Sequence, residues 1–340
     1  KNIMNFLIYI CKQNPDQETM HVKAISTNVG KALLINALFM LFAIIISIIY
    51  GFDSAFTPLV ISFLATFITG LFPFIFVRSK PETSLQDGYL TIVISWLLSF
   101  VFGMLPYVLW GGEFTLMNAW FESVSGYTTT GSTILTDIEA LPKSLLFWRS
   151  STHFIGGLGI IVFLMMIIPD TSPSKLKLAH LELSSLSKEG YRYKSGKTSR
   201  VMLTVYLGLT LTETLCLWAA GMSLFDAVNH AFSTVATGGF STRNTSIMHY
   251  ASPLIDIIIT IFMALSAMHF GAIFAILAKR TLKPVTSGVT RYYLWVIAVL
   301  SITTAISLKL QGGYESWGRS FLDSTFQTVS YLTTTGFGQA

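Results

Sequence analysis

Charged side chains are scarce in this chain. Asp, Glu, Lys and Arg make up 11% of its 340 residues, and 52% are hydrophobic, whereas a water-soluble domain carries roughly a quarter charged residues. So little charge excludes an ordinary soluble surface and points to a bilayer as solvent. Cysteine is almost missing: Cys11 and Cys216 stand far apart, which excludes a disulfide framework and a thiolate metal site. Residues 1–31 are polar and mixed, with no cleavable-leader pattern. The net charge of +5 does not argue for nucleic acid, because the basic residues fall in short stretches between apolar runs, where membrane orientation accounts for them.

What is present is a repeat. Ser125-Gly126-Tyr127-Thr128-Thr129-Thr130-Gly131 returns as Ser233-Thr234-Val235-Ala236-Thr237-Gly238-Gly239 and as Ser330-Tyr331-Leu332-Thr333-Thr334-Thr335-Gly336. All three read Ser-x-x-x-Thr-x-Gly. Asn118, Asp226 and Asp323 each stand 13 residues before the closing glycine. A recurrence of this kind fixes architecture before any single residue does.

Around the repeats lie apolar runs of membrane-spanning length, about twenty residues for ~30 Å of hydrocarbon. They are 33–50, 58–77, 89–110, 145–168, 201–221, 254–278 and 292–310. The expected organisation is a cytoplasmic lead-in over 1–31, an extra helix pair over 32–77, and a first repeat over 88–169. A basic cytoplasmic loop follows over 170–200, a second repeat over 201–278, and an incomplete third over 290–340. With the N-terminus and the three basic loops cytoplasmic, that side holds 17 of the 22 Lys and Arg, and every repeated segment enters from the outer face.

The repeated segments are too short to span. A helix of ten or eleven residues, roughly 16 Å long, reaches about half way across the bilayer. Asn118, Asp226 and Asp323 are expected to cap these helices. Their C-terminal ends, partially negative, favour a cation at the membrane centre. Thr-x-Gly then leaves helix, and non-helical backbone at that depth must be buried in protein or line a wet cavity. It offers no acid, base, thiol or imidazole at the repeated positions, only threonine hydroxyls and backbone carbonyls. Such oxygens replace the hydration shell of a monovalent cation, and glycine permits the dihedrals that aim them.

The segments 121–131, Phe147-Trp148-Arg149, Gly156-Gly157-Leu158-Gly159-Ile160, Thr237-Gly238-Gly239-Phe240-Ser241-Thr242 and Thr333-Thr334-Thr335-Gly336-Phe337 together resemble the membrane subunit of the Trk/Ktr/HKT potassium-transporter superfamily, the bacterial Trk type most of all. The resemblance implies an all-α polytopic membrane protein with helix–pore loop–helix units around a central ion pore, preceded by an extra helix pair. It implies potassium uptake, with potassium coordinated by carbonyls at Thr129, Thr130, Thr237, Gly238, Thr334 and Thr335 beside filter glycines Gly131, Gly239 and Gly336. Asn118, Asp226, Asp323, Ser125, Ser233, Ser330 and Glu122 are then filter-supporting residues. Gly131 resembles the potassium-selective members, since relatives with serine there tend to pass sodium. The resemblance further implies a bacterial inner-membrane location with a cytoplasmic N-terminus, a homodimer in membrane lipid, and a ring of cytosolic regulatory subunits that carry the nucleotide; no organic cofactor is expected in this chain. Glycines 108 and then 97 residues apart predict a fourth about a hundred residues beyond Gly336, so the fourth repeat is expected to be absent from this sequence.

Besides a non-conducting structural subunit, two alternatives remain at this stage. One is a sodium-permeable or poorly selective transporter of the same build. The other is an intramembrane enzyme, which would need paired groups at membrane depth; Glu213, His153 and His269 show no such pairing. Glu122, His230 and Gln327 share one position of the three short helices and are expected to support the loops by hydrogen bonds. Gly156-Gly157 is expected to serve close helix packing rather than nucleotide binding.

Overall fold

A computed structural model describes residues 21–77, 85–167, 195–268, 273 and 288–339. Among the described residues there are helices and no strands. The long helices are α1 (Val22–Ile49), α2 (Phe56–Phe76), α3 (Leu85–Trp110), α5 (Lys143–Ile167), α6 (Ser195–Ala219) and α9 (Gly288–Leu310); α8 (Pro253–Ser266) is shorter. The three repeats supply short helices: α4 (Leu116–Tyr127), α7 (Leu224–Val235) and α10 (Trp317–Leu332). The basic stretches at 170–194 and 279–287, His269, and the end of the sixth apolar run lie outside the described residues.

Five of these helices, α1, α2, α3, α6 and α9, are long and apolar enough to cross a membrane. Their outward faces suit lipid: Leu207, Leu211, Leu215 and Trp218 form an exposed apolar stripe along α6. The first helix begins at Val22, well before the apolar run at residue 33. It does so because Ala24, Ile25 and Val29 are buried and His21 bonds Asp87 of α3 through both its backbone N–H and its ring.

Packing draws the extra pair into the structure around the first repeat. Asn36 of α1 donates to Ser99 Oγ at 3.0 Å and accepts from Tyr127 Oη at 2.6 Å, so α1 and α3 are tied to the end of α4. Trp148 Nε1 of α5 donates to the Gly103 carbonyl at 3.0 Å. A Cβ on Gly103 would overlap the Tyr127 ring, so α3 approaches α4 this closely only because residue 103 is glycine. The core around Leu59, Tyr107, Tyr127, Leu145 and Trp148 is fully or nearly fully buried.

The glycine pair on α5 serves close approach. A Cβ on Gly156 would overlap the Tyr127 carbonyl, and one on Gly157 would crowd Tyr206 and Ala236. Helix α5 therefore lies directly behind the exits of α4 and α7.

Candidate functional site

The short helices are not capped where the repeat suggested. The N-caps are Thr115, Ser223 and Ser316, whose side chains accept from the N–H groups of Asn118, Asp226 and Gly318. Asn118 and Asp226 stand at the third helical position, and Asp323 lies in the second turn of a helix that starts earlier. The reason is local: a hydroxyl residue takes the cap, three positions before Asn118 and Asp226 and seven before Asp323, and Asp226 also accepts from Ser223 Oγ at 2.9 Å. α4 and α7 have 12 residues and α10 has 16, slightly longer than expected.

Beyond the helices, the backbone repeats. Thr129, Thr237 and Thr334 have φ of 52°, 53° and 59°, and Gly131, Gly239 and Gly336 have φ of 77°, 79° and 82°. Left-handed backbone is a true outlier for a β-branched residue. Three copies of one outlier, each costing on the order of 1–3 kcal/mol, persist only where the surroundings over-determine them. The overdetermination starts at the repeated serine: Ser125, Ser233 and Ser330 carbonyls accept from Thr130, Gly238 and Thr335 N–H at 2.8–2.9 Å.

The segments meet one another. A Cβ on Gly131 would overlap the Gly238 carbonyl oxygen, and one on Gly239 would overlap that of Thr335. Gly131 and Gly239 thus each abut the carbonyl before the next segment's glycine, in chain order. Where a Cβ on Gly336 would lie, no described heavy atom comes within 4 Å. Thr129, Thr130, Thr237, Gly238, Thr334 and Thr335 are gathered with the three glycines at one junction, as a row of oxygens with no ionised side chain among them.

Braces behind the segments differ from copy to copy. In the first, buried Glu122 accepts from Thr133 Oγ1 at 2.9 Å, from Ile134 N–H at 3.2 Å and from Arg149 Nε at 2.5 Å. Arg149, also buried, donates to the Ser241 carbonyl at 3.1 Å and lies 3.5 Å from the Phe240 ring centre. One ion pair therefore joins the first short helix to the second segment's return. In the second copy His230 bonds Ser241 Oγ at 2.9 Å and the Asp226 carbonyl at 2.8 Å. A carbonyl only accepts, so Nδ1 carries the proton and Nε2 accepts from the serine. Asp226 accepts from Thr242 Oγ1 at 2.6 Å and pairs with Arg243 at 3.0 Å. In the third, Asp323 accepts from Gln339 Nε2 at 3.0 Å and pairs with Arg319 at 2.9 Å, and Asp256 of α8 also accepts from Gln339. Gln327 does not match Glu122 and His230: its side chain forms no hydrogen bond among the described residues.

Outside the junction, Asn244 ties two outer loops, donating to Asp137 at 2.8 Å and accepting from Ile138 N–H at 2.6 Å. Its amide holds the Asp137 carboxyl below the usual range. Glu213 on α6 is fully buried, with Thr234 beside its carboxyl. Arg149 and Gln339 as braces were not foreseen. The available signal for Arg149 was its place inside an apolar run, since a buried cation demands a partner.

Short helices ending in strained, carbonyl-rich segments, set among helices long and apolar enough to cross a bilayer, define a membrane protein. The chain belongs to the TrkH family of cation transport proteins, whose family profile matches residues 57–292. It is 33% identical over 323 residues to the Trk system potassium uptake protein TrkH of Salmonella typhimurium, covering 94% of this chain and 66% of that protein. To the Trk system potassium uptake protein TrkG of Escherichia coli it is 35% identical over 224 residues, 65% of this chain and 46% of that protein. The crystal structure of the potassium transporter TrkH from Vibrio parahaemolyticus superposes with a TM-score of 0.82 at 31% identity, covering 94% of this chain and 66% of that one. The chain thus spans about two thirds of the length of these TrkH relatives. These proteins are named for transport, so the enzyme alternative falls away.

Proposed function

We propose that the whole protein takes up potassium across the bacterial inner membrane, through a filter built partly by the backbone carbonyls at 129–131, 237–239 and 334–336. The observation that carries this reading is the threefold left-handed threonine followed two residues later by a left-handed glycine. Aiming successive carbonyls at one axis accounts for the same strain in all three copies. Relatives named as potassium uptake proteins support potassium over sodium, as does glycine at position 131. In this reading 88–169, 201–278 and 290–340 are pore repeats behind an extra pair at 32–77. A fourth segment from elsewhere in the whole protein lies against Gly336. The N-terminus is cytoplasmic, the assembly is a homodimer, and cytosolic nucleotide-binding subunits gate it. Expression of the full-length gene in a bacterium stripped of its own potassium uptake tests the reading. Growth at low potassium, with rubidium influx competed by potassium far better than by sodium, is the expected result. Equal competition by sodium overturns it.

A further inference from the structure

The second segment lacks the internal ties of the other two. In the first, Thr128 and Thr130 hydroxyls bond each other at 2.8 Å and Ser125 Oγ donates to the Ser132 carbonyl at 2.6 Å. In the third, Thr333 and Thr335 hydroxyls bond at 2.8 Å and Ser330 Oγ donates to the Phe337 carbonyl at 2.9 Å. The equivalent second positions are Ala236 and Gly238, so no hydroxyl pair exists. Ser233 Oγ bonds instead to His153 Nδ1 of α5 at 3.2 Å.

We propose that His153 is a specificity-determining positioning residue, an imidazole that replaces in the second segment the side-chain ties of the first and third. The proposal rests on the filter reading above. Two contacts carry it besides the serine bond. The ring is buried and stacks on Phe240, the residue after Gly239, at 3.9 Å between centres and 14° between planes. A Cβ on residue 238 would overlap the imidazole. The Gly238 φ is not left-handed, so glycine there serves the approach of His153 rather than the backbone angle. The carbonyl of Gly238 is the one Gly131 abuts, so displacing it alters the seam between two segments. Arg149, one turn earlier on α5, covers the same Phe240 ring, and the two side chains fix the strand from behind.

The test is made in the full-length protein, with potassium-over-sodium preference measured per amount of protein in the membrane. His153→Ala removes a hydrogen bond and a ring stack from behind the second segment, so the preference is expected to fall about tenfold. Gly238→Ala alone is expected to abolish selective uptake, and the double variant Gly238→Ala/His153→Ala to regain part of it because the methyl group enters the vacated space. Ser233→Ala, which leaves packing volume almost intact, should lower the preference a few-fold. It decides the matter if the His153 variants fail to accumulate, and an unchanged ratio there overturns the proposal. So does an unchanged ratio in His153→Ala, or a double variant no better than Gly238→Ala. If the parent protein itself does not prefer potassium, the filter reading fails instead, so the two failures are distinguishable.

Discussion

A single methyl group on Gly131 or Gly239 tests the carbonyl arrangement most directly. Both glycines sit at φ near +80°, where an L residue costs about 1–2 kcal/mol relative to glycine. That cost falls on the folded protein wherever the position is. The second effect is particular to this junction: the new Cβ would overlap the carbonyl oxygen of Gly238 in one case and of Thr335 in the other. Both contacts are with backbone, so a rotamer change cannot relieve them, and the neighbouring strand must withdraw. Carbonyls that withdraw on one side no longer surround a dehydrated ion, so the loss should appear in discrimination between ions. With about 2 kcal/mol lost for the tighter-fitting ion, Gly131→Ala and Gly239→Ala should each lower the potassium-over-sodium preference about thirtyfold. The assay is rubidium influx with potassium and sodium as competitors, normalised to protein in the membrane. Gly208→Ala on α6 is the control, because open space surrounds it and its helical backbone favours alanine; transport there should be unchanged. If Gly131→Ala kept the parental ion ratio at parental abundance, the abutting carbonyls would not form the selective element.

Gly131→Ser should also lower the preference for potassium, since it adds the same Cβ strain together with a competing hydroxyl; ion-competition flux with an unchanged ratio would contradict this. Glu122→Ala leaves the buried Arg149 guanidinium without its carboxylate. A broken buried pair costs about 3–5 kcal/mol, so this variant should lose most of its folded protein in a thermal-stability assay, whereas an exposed ion pair would barely matter. Asn244→Ala removes the amide that depresses the Asp137 carboxyl. A depressed carboxyl contributes stability above its unfolded pKa and loses it as pH falls through the folded one. The melting temperature of Asn244→Ala should therefore lie below that of the parent near neutral pH and converge with it in strong acid; a constant gap would place the effect elsewhere.

The sequence was most informative where the backbone itself is constrained. Ser-x-x-x-Thr-x-Gly could be read because each fixed position answers a backbone demand: the serine carbonyl accepts the returning N–H, and threonine and glycine take left-handed angles. Long apolar runs were legible for the same kind of reason, since hydrocarbon thickness sets their length. The caps were misread because aspartate and asparagine aligned across all three repeats, while Thr115 and Ser223 stand 16 residues before their glycines and Ser316 stands 20 before its own. The Val22 start was hidden because burial against α3, a non-local contact, extends that helix beyond its apolar stretch. Spacing singled out Glu122, His230 and Asp323 but not their partners Arg149, Ser241 and Gln339, because those pairings are tertiary. Glu122 with Arg149, His230 with Ser241 and Asp323 with Gln339 are different chemistries serving equivalent segments.

That contrast has a physical cause. A carbonyl row depends on dihedral angles, and few residue types meet a given angle, so the three copies agree in backbone. A brace only has to hold a strand still, and an ion pair, an imidazole or an amide bridge each does so if buried and satisfied. The braces also link different partners: Arg149 joins the first repeat to the second, Arg243 reaches from Asp226 back to Glu139, and Gln339 joins α10 to α8. Three segments alike in backbone are thus held by unlike side chains. Each brace variant should consequently disturb one seam of the ring, while each glycine variant disturbs the coordination shared by all.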